Sequence, residues 1–455
     1  MRIDCAGCFG GMEALEAWMP CQKESDTASA SRASSASVAT DATRPLAHTQ
    51  NPVHVAVFLQ YYHTPDCPTA ARPYALVERL ARAHDVTVIT TRAWEAKRQT
   101  HDAPWVPPGA ELVRFDVPYD NTMTPRQRLG AFLRYAAQAI GYGLQMPRPD
   151  VILGSSTPLT AAAAAGTVAR LRGVPWIFEV RDLWPDFPIQ MGAIPWPAVQ
   201  HALYGLEFAL YRSAAQVVAL SPDMERHVRA GAPSASVHTN VYGADLERIE
   251  AMSEDDRDGL RQRFDLDRRF LVLYAGTFGR ANAIPTLLDA ARRLSDRSDV
   301  LVAFAGDGHH ADRVEAAAQE HTHIRRLPPL PYPQALALFG LADVSLVAFR
   351  DRPILSTNSP AKFFDSLAAG TPVVVTNPGW TKRFVERHRC GWYVPAEAPD
   401  ALADRLRRLL DVPGIMHVAG SRAQRVARRQ FDRAALLDDY AALVERVVHS
   451  QTHFS

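Results

Sequence analysis

The sequence lacks two features that would define its class at once, namely a long apolar run and a large net charge. No stretch of this 455-residue chain approaches the roughly 18 to 20 uninterrupted apolar residues that span a bilayer. Lysine and arginine total 50 against 49 acidic residues, which provides no basic field for a polyanion. The sequence therefore predicts neither an integral membrane protein nor a nucleic-acid-binding protein.

Cysteine is scarce and irregularly placed. The five cysteines are Cys5, Cys8, Cys21, Cys67 and Cys390, an odd set that fits a reducing cytoplasm better than a disulfide framework. Cys5 and Cys8 form a C-x-x-C pair, but no second Cys or His pair follows at a zinc-ligand spacing. We therefore expect no metal site.

The N-terminus also lacks the basic start and apolar run of a signal peptide, and it carries Asp4 and Glu13 instead. Residues 1–50 include a Ser/Ala/Thr-rich stretch with almost no large apolar residue, and such a stretch cannot offset the entropy of ordering. We predict a disordered tail over residues 1–50 and a cytoplasmic protein.

The rest of the chain has a globular composition, with 47% hydrophobic residues. Two series of short apolar runs alternate with helical patterns, one within residues 51–245 and one within 246–432. Apolar runs of this kind are typical of parallel strands buried on both faces. The fold class we predict is α/β, with two tandem Rossmann-like, doubly wound domains. A last helical pattern over 433–449 could return to the first domain, and the sequence leaves this open.

Ligands of open parallel sheets bind beyond the carboxyl ends of the strands. The first informative junction follows the run FLVLYA and contains Gly276, Thr277, Gly279 and Arg280. Its glycines would let the backbone approach a ligand, and Arg280 offers a positive charge. A purely steric need for glycine in a strand-to-helix turn is the alternative.

The second junction, Gly306-Asp307-Gly308, follows VLVAFA. It leaves bare backbone at the sheet edge and could admit a nucleotide. It also fits a tight turn in which Asp307 caps the next helix, and the two interpretations are compatible.

The third junction predicts an anion site at a helix start. It follows Asn358, with Ser359 as a natural N-cap and Pro360 at the first helical position. The open N–H groups of that helix and Lys362 in its first turn would attract a diphosphate. Asp365, three positions later, shares a face with Lys362 and could accept hydrogen bonds from a ribose diol. A Lys362–Asp365 surface ion pair is the alternative.

The fourth junction lies in the first series, where Glu179, Arg181, Asp182 and Asp186 surround the end of the run PWIF. Carboxylates at a strand end could orient an acceptor hydroxyl or take its proton, so Asp182 and Glu179 are candidate catalytic residues. An Arg181–Asp182 ion pair that only shapes the loop is the alternative.

Taken together, these segments resemble glycosyltransferase family 4, the retaining group with the GT-B fold, from about Val53 to Asp411. The matching segments are EVRDLWPD, LVLYAGTFGRAN, AGDG, LADVSLVAF, NSPAKFFDSLAAGTPVVV and CGWYVP. The resemblance implies transfer of a sugar from a UDP- or GDP-sugar, with retention and without a metal or other cofactor. It also implies an acceptor-side domain over 51–245, a donor-binding domain over 246–432, and a glycan or polyprenyl-linked acceptor in bacterial surface polysaccharide synthesis.

The chain departs from the family pattern at several positions. The family's two glutamates, eight positions apart, fall on Thr357 and Asp365, and a usual lysine falls on Asn282. The His-Asp pair often found after the first domain's strand becomes Arg181-Asp182, of which only the acid is carried over.

The resulting hypothesis assigns the diphosphate leaving group to the helix start near Ser359 together with Lys362 and Arg280. The family implies front-face attack by the acceptor, with a leaving-group oxygen helping to remove its proton. Two other functions stay open: a nucleotide-sugar epimerase of the same architecture, and a non-catalytic nucleotide-sugar-binding protein.

One helical pattern bears on membrane contact. The segment RQRLGAFLRYAAQAIGYGL places Leu129, Phe132, Leu133 and Ala136 on one face, and it also carries Arg126, Arg128 and Arg134. A basic amphipathic helix can lie in the headgroup layer, which would put the protein at the inner face of the plasma membrane. An ordinary surface helix covering the sheet explains the same pattern.

Overall fold

The computed structural model describes residues 52–62, 71–93, 105–119, 123–266 and 268–452. The predicted tail over 1–50, the pair Cys5–Cys8 and Cys67 lie outside these residues. Cys390 is a buried free thiol.

The first sheet has seven parallel strands in the order β3-β2-β1-β4-β5-β6-β7. These strands are β1 (His54–Phe58), β2 (Asp85–Ala93), β3 (Ala110–Tyr119), β4 (Val151–Ser155), β5 (Trp176–Val180), β6 (Gln216–Ala219) and β7 (Val237–Thr239). The register is continuous at its centre, where Val55 of β1 lies between Val86 and Val151. Strands β1, β4, β5 and β6 are buried along almost their whole length, as expected for a sheet covered on both faces.

The second sheet has six parallel strands in the order β10-β9-β8-β11-β12-β13. These strands are β8 (Phe270–Ala275), β9 (Val300–Ala305), β10 (Ile324–Leu327), β11 (Val344–Val347), β12 (Val373–Val375) and β13 (Gly391–Tyr393). The predicted α/β class with two doubly wound parallel sheets is confirmed. Edge strands β7 and β13 were not predicted, because their residues, VHT and GWY, do not form an aliphatic run.

Helices cover both sheets. Before β8 they are α1 (Ala71–Ala81), α2 (Pro125–Gln145), α3 (Leu159–Arg172), α4 (Asp186–Gln190), α5 (Pro197–Ser213), α6 (Pro222–Gly231), α7 (Leu246–Glu250) and α8 (Glu254–Arg263). In the second half they are α9 (Ile284–Arg292), α10 (Ala311–Glu320), α11 (Tyr332–Leu341), α12 (Ala361–Ala368), α13 (Trp380–His388), α14 (Pro399–Asp411), α15 (Pro413–Gln430) and α16 (Arg433–Thr452). A short 3-10 helix, Pro353–Thr357, precedes α12.

Local sequence explains several of these helix starts. Ser253 and Asp256 form a reciprocal capping box at α8, which satisfies N–H groups that the helix itself leaves open. Thr124 and Gln127 do the same at α2.

The last helix, α16, packs on the first sheet although it follows the second sheet in the chain. Its buried residues Leu437, Tyr440 and Val444 share one apolar cluster with Val55 and Val77. Burial of these apolar side chains stabilises the packing of α16 on the first sheet. Among the described residues, no helix is both long and apolar enough to cross a membrane.

Candidate active site

Two glycine turns meet at the carboxyl ends of β8 and β9. Gly276 and Gly306 have φ of 139° and 145°, in the region that favours glycine. A Cβ on Gly306 would lie 2.0 Å from the Gly276 carbonyl oxygen, so a side chain is sterically excluded there. The first two junctions predicted from the sequence therefore lie against each other, with Gly276 and Gly308 exposed and Gly306 buried between them.

The second turn continues along the loop that follows β8. A Cβ on Gly308 would lie 3.0 Å from the Phe278 backbone, and the Phe278 N–H donates to the Asp307 carbonyl at 2.8 Å. Asp307 does not cap α10, whose N-cap is His310 without a side-chain hydrogen bond. The predicted capping role of Asp307 is wrong, because the helix begins four residues after it, at Ala311.

Lys362 lies directly against the first turn. Its Nζ donates to the Tyr274 hydroxyl at 2.9 Å and lies 4.0 Å from the centroid of that ring. The position of a Cβ on Gly276 would be 2.9 Å from the same Nζ. Burial lowers the pKa of Lys362 to about 7, since a charged ammonium loses its hydration there.

Tyr274 and Asn282 both support this turn. The sequence did not point to Tyr274, and it marked Asn282 only as a departure from the family pattern. The Tyr274 hydroxyl and the Asn282 side-chain amide both donate to the Thr277 carbonyl, each at 2.8 Å. Asn282 therefore has a structural role at the position where the family pattern has a lysine. A tyrosine near the carboxyl end of an apolar strand was the available signal for Tyr274.

The start of α12 differs by one residue from the prediction. Pro360, not Ser359, occupies the N-cap position, and no side chain caps the helix. The Ser359 hydroxyl is buried without a hydrogen-bond partner, and the Asn358 carbonyl accepts a bond from the Trp380 indole at 2.7 Å. The first N–H groups of an uncapped helix carry partial positive charge that attracts an anion.

The predicted polar face of α12 is wrong for Asp365, which is only 4% exposed. The Tyr332 hydroxyl donates to its Oδ1 at 3.1 Å, and Arg433 Nη2 lies 3.8 Å from the same atom. Burial raises the pKa of Asp365, and the charge of Arg433 opposes that rise. The alternative of a Lys362–Asp365 pair does not hold either, because the two side chains bond to different tyrosines. The contact of Asp365 with a donor ribose stays a prediction.

Two arginines border the glycine turns. Arg280 is exposed in the loop after Gly279. The φ of Gly279 lies outside the positive region that favours glycine. Arg350, missed by the sequence analysis, follows β11, and its N–H donates to the Ala281 carbonyl at 2.9 Å. Its Nε is 3.3 Å from a carboxylate oxygen of Glu397. The pKa of His310 is lowered mainly by burial, then by the charges of His309 and Arg313, and then by those of Arg280 and Arg350. The charges of Arg280 and Arg350 therefore act on the same loop.

On the first sheet, Asp182 is held at the end of β5 by the loop after β4. The Ser156 hydroxyl donates to the Asp182 carbonyl at 2.7 Å and accepts from the Arg181 N–H at 3.0 Å. The Thr157 hydroxyl lies 3.3 Å from Asp182 Oδ2. Burial raises the pKa of Asp182, opposed by the charge of Arg181. A carboxyl fixed in this way can orient a hydroxyl group.

Glu179 does not share that setting, so its assignment as a catalytic residue is corrected. It lies inside β5, is 6% exposed, and one of its oxygens is 3.5 Å from Arg72 Nε. The strand continues to Val180, so Glu179 precedes the strand end where a ligand would bind. Its carboxylate balances a fully buried guanidinium that also bonds to Asn240 and Val241.

The start of α6, on the first sheet, contacts segments around the second sheet. Ser221 donates to the Thr357 carbonyl at 2.5 Å, and Asp223 accepts from the Trp380 N–H at 3.0 Å. A cavity of about 430 Å³ opens at this contact. Its walls include Asp223, Arg226, Asp351, Ser356, Thr357 and Arg383.

Two family models match the chain. Residues 69–243 match the glycosyl transferase 4-like domain, and residues 269–412 match glycosyl transferases group 1. Together the matches span well over half of the chain and include both sets of site residues.

Individual proteins agree with these matches. WcaI of Escherichia coli K12, a glycosyl transferase named for colanic acid biosynthesis, is 24% identical over 296 residues, covering 62% of this chain and 72% of WcaI. The fold is similar to that of sucrose-phosphate synthase from Thermosynechococcus elongatus, with a TM-score of 0.65, 18% identity, and 88% and 100% of the two chains covered. Anabaena HepE in complex with UDP-glucose gives a TM-score of 0.62 and 16% identity over 87% of this chain and 100% of HepE.

The two sheets thus form the GT-B fold, with glycine turns and an uncapped helix on one side and a fixed carboxyl on the other. The chain belongs to glycosyltransferase family 4 and is a glycosyltransferase.

Proposed function

We propose that the chain transfers a sugar from a UDP- or GDP-sugar to a glycan or polyprenyl-linked acceptor, with retention, in the synthesis of a bacterial surface polysaccharide. The name of WcaI supports the polysaccharide. The UDP-glucose bound by HepE supports the donor class.

The observation that carries the proposal is the position of Lys362. Its ammonium lies at the Gly276 turn beside the uncapped start of α12, and its hydrogen-bond partner is a neutral phenol. A cation with a neutral partner keeps its charge available for an incoming anion. The diphosphate of the donor fits this place, with its oxygens toward Lys362, Arg280 and the N–H groups of the helix start.

The same groups would promote the reaction. As the bond between the anomeric carbon and the diphosphate oxygen breaks, negative charge grows on that oxygen, and preorganised cations and N–H groups stabilise it. The acceptor hydroxyl forms its bond to the anomeric carbon from the face that the diphosphate leaves. Its proton passes to a diphosphate oxygen, and this front-face path retains the anomeric configuration.

Asp182 acts on the acceptor side in this proposal. The Ser156 hydroxyl holds the backbone of Asp182 and the Thr157 hydroxyl donates to its carboxyl. That carboxyl accepts a hydrogen bond from the attacking hydroxyl and orients it. Lys362, Arg280 and Arg350 supply the positive charge, so we expect donor binding to require no metal. Affinity for UDP that is unchanged by EDTA would agree with this expectation.

Peripheral membrane contact is a further part of the proposal. Leu129 and Leu133 of α2 are 55% and 56% exposed, beside the exposed Arg126 and Arg134. Phe132 does not belong to that exposed face, because it packs on Tyr119 and Trp184. We expect reversal of charge at Arg126 and Arg134 to reduce flotation with vesicles containing anionic lipid, while unchanged flotation would leave α2 as a surface helix.

The first test of function is a panel of nucleotide sugars screened by thermal shift with the full chain. A ligand that prefers the native state raises the melting temperature. We expect a UDP- or GDP-sugar to do so, and then to be consumed only when a glycan or polyprenyl-linked acceptor is added. Conversion of the donor to an epimer without acceptor would contradict the proposal.

A further inference from the structure

Three helices on the first sheet bring an imidazole and two carboxylates together, outside the site described above. His227 of α6 has its Nε2 3.2 Å from Glu207 Oε1 of α5 and 3.7 Å from Asp186 Oδ2 of α4. One ligand atom from each residue lies within 4.8 Å of the other two. Imidazole nitrogen and carboxylate oxygen are both ligands of divalent zinc.

The spacing of these atoms suits a tetrahedral ion. Zinc bonds to nitrogen and oxygen of about 2.0 to 2.1 Å at tetrahedral angles place neighbouring ligand atoms roughly 3.3 Å apart. The two measured separations from Nε2, 3.2 and 3.7 Å, lie on either side of that value. Along these two separations a bound ion requires only small side-chain shifts, and the carboxylate oxygens of Asp186 and Glu207 lie within 4.8 Å of each other.

Glu207 supplies a second, independent observation. It is fully buried, and its Oε2 has no hydrogen-bond partner. A buried carboxylate oxygen without a partner is costly, and a cation would neutralise it.

The carboxylates are also oriented from outside the cluster. The Tyr211 hydroxyl donates to Glu207 Oε1 at 2.7 Å, and the Tyr204 hydroxyl donates to Asp186 Oδ1 at 2.8 Å. Hydrogen bonds of this kind fix the ligands around metal ions.

We propose that Asp186, Glu207 and His227 bind one Zn²⁺ ion, with a water as the fourth ligand. The side chains of Asp186 and His227 are 15% and 25% exposed, which leaves room for that water and for entry of the ion. No spacing in the sequence indicates this site, because its ligands come from three separate helices.

The ion would have a structural role beside the cleft. It would tie α4 to α5 and α6, and α4 carries Gln190, whose side-chain oxygen accepts from the Ile354 N–H at 2.9 Å. Ile354 belongs to the 3-10 helix that precedes α12. The inference goes beyond the proposed function and is tested by metal binding alone.

The experiment uses the full chain without a polyhistidine tag, first treated with chelator and then titrated with Zn²⁺ in competition with a chromophoric chelator. We expect one tight equivalent of zinc. Glu207→Gln and His227→Ala should each weaken its affinity by more than about 100-fold, beyond what outer hydrogen bonds contribute. Tyr204→Phe should weaken it by about tenfold.

His238→Ala is the matched control. His238 is 31% exposed in its side chain and bonds to a single carboxylate, that of Asp439, at 2.6 Å. Its loss should leave zinc affinity unchanged. Absence of a tight equivalent, or binding that survives both Glu207→Gln and His227→Ala, would show that the cluster is only an ion pair and would overturn the proposal.

A measurement on the unaltered protein covers the case in which a variant fails to fold. X-ray absorption at the zinc edge of the loaded chain should show one imidazole and oxygen ligands at about 2.0 Å. A ligand shell with sulfur or with two or more imidazoles would place the ion elsewhere and contradict the proposal.

Discussion

Charged side chains near the carboxyl edges of the two sheets have different kinds of partner. At the second sheet, Lys362 bonds to a neutral tyrosine beside bare glycine backbone. At the first sheet, Glu179 is paired with the buried Arg72 one residue before the strand ends, whereas Asp182, beyond the end, is held by neutral hydroxyl groups. Nearness to a strand end therefore does not by itself define the role of a charged side chain. A charge whose partner is neutral is available to a ligand, whereas a charge already balanced in the core stabilises the fold.

The largest effect is expected for Lys362. Replacing it by alanine removes the cation from the diphosphate site and should lower kcat/KM by about three orders of magnitude, the size seen when one preorganised donor to a developing anion is lost. Steady-state kinetics with the identified donor measure this. Lys382→Ala is the control, since Lys382, on α13, lies over the ring of Tyr393 on β13. Near-normal turnover by a folded Lys362→Ala protein would show that Lys362, like Glu179, is not needed for the reaction.

Glu179→Gln should act on stability instead. Removing one partner of a buried ion pair leaves Arg72 uncompensated and should lower the free energy of unfolding by about 3 kcal/mol. Chemical denaturation measures the loss. Donor KM at a temperature where the variant is folded should stay within about twofold of normal, because Glu179 precedes the strand end. A selective loss of kcat with unchanged stability would restore it as a catalytic candidate.

Asp182→Asn should show the reverse pattern. We expect kcat to fall by about 100-fold, the lower end of what positioned acid–base groups contribute. The melting temperature should change little, since the amide can still accept from Thr157. Donor affinity, measured by UDP titration, should also be unchanged, and its loss would move Asp182 to the donor side.

Arg350→Ala should raise the donor KM by about tenfold, as expected for loss of one charge-assisted contact in a partly exposed site. Arg352→Ala is the matched control two residues along the same loop. Equal effects of the two changes would indicate a general loss of loop structure rather than a contribution of charge at the donor site.

The smallest effect concerns pH. Burial lowers the pKa of Lys362 from its ordinary 10.5 to about 7, so the free protein loses this charge above pH 7. A bound diphosphate raises that pKa again, so UDP binding takes up a proton at pH 8. Affinity should fall as pH rises, by about fivefold between pH 7.5 and 8.5.

Isothermal titration in two buffers of different ionisation enthalpy measures this proton uptake. Lys362→Arg, which stays charged, should lose the pH dependence and serves as the control. An identical pH dependence in both proteins would assign the titration to another group.

The sequence predicted the two sheets and the glycine turns because parallel strands are buried on both faces and their ends are marked by glycine. It also assigned Lys362 and Arg280, which follows the Gly276 turn, to one diphosphate site. It could not predict the partners of Asp365 and Glu179, because Arg433 and Arg72 come from distant parts of the chain. The one-residue error at Ser359 arose because proline is typical of the first helical position, whereas Pro360 here has an extended backbone and precedes the helix.

The most direct test of the account is a crystal structure of the full chain with UDP. We predict the diphosphate within hydrogen-bond distance of Lys362 Nζ and of the N–H groups that begin α12, with Lys362 drawn away from Tyr274. A nucleotide bound elsewhere, or Lys362 still bonded to Tyr274 with no phosphate contact, would contradict it.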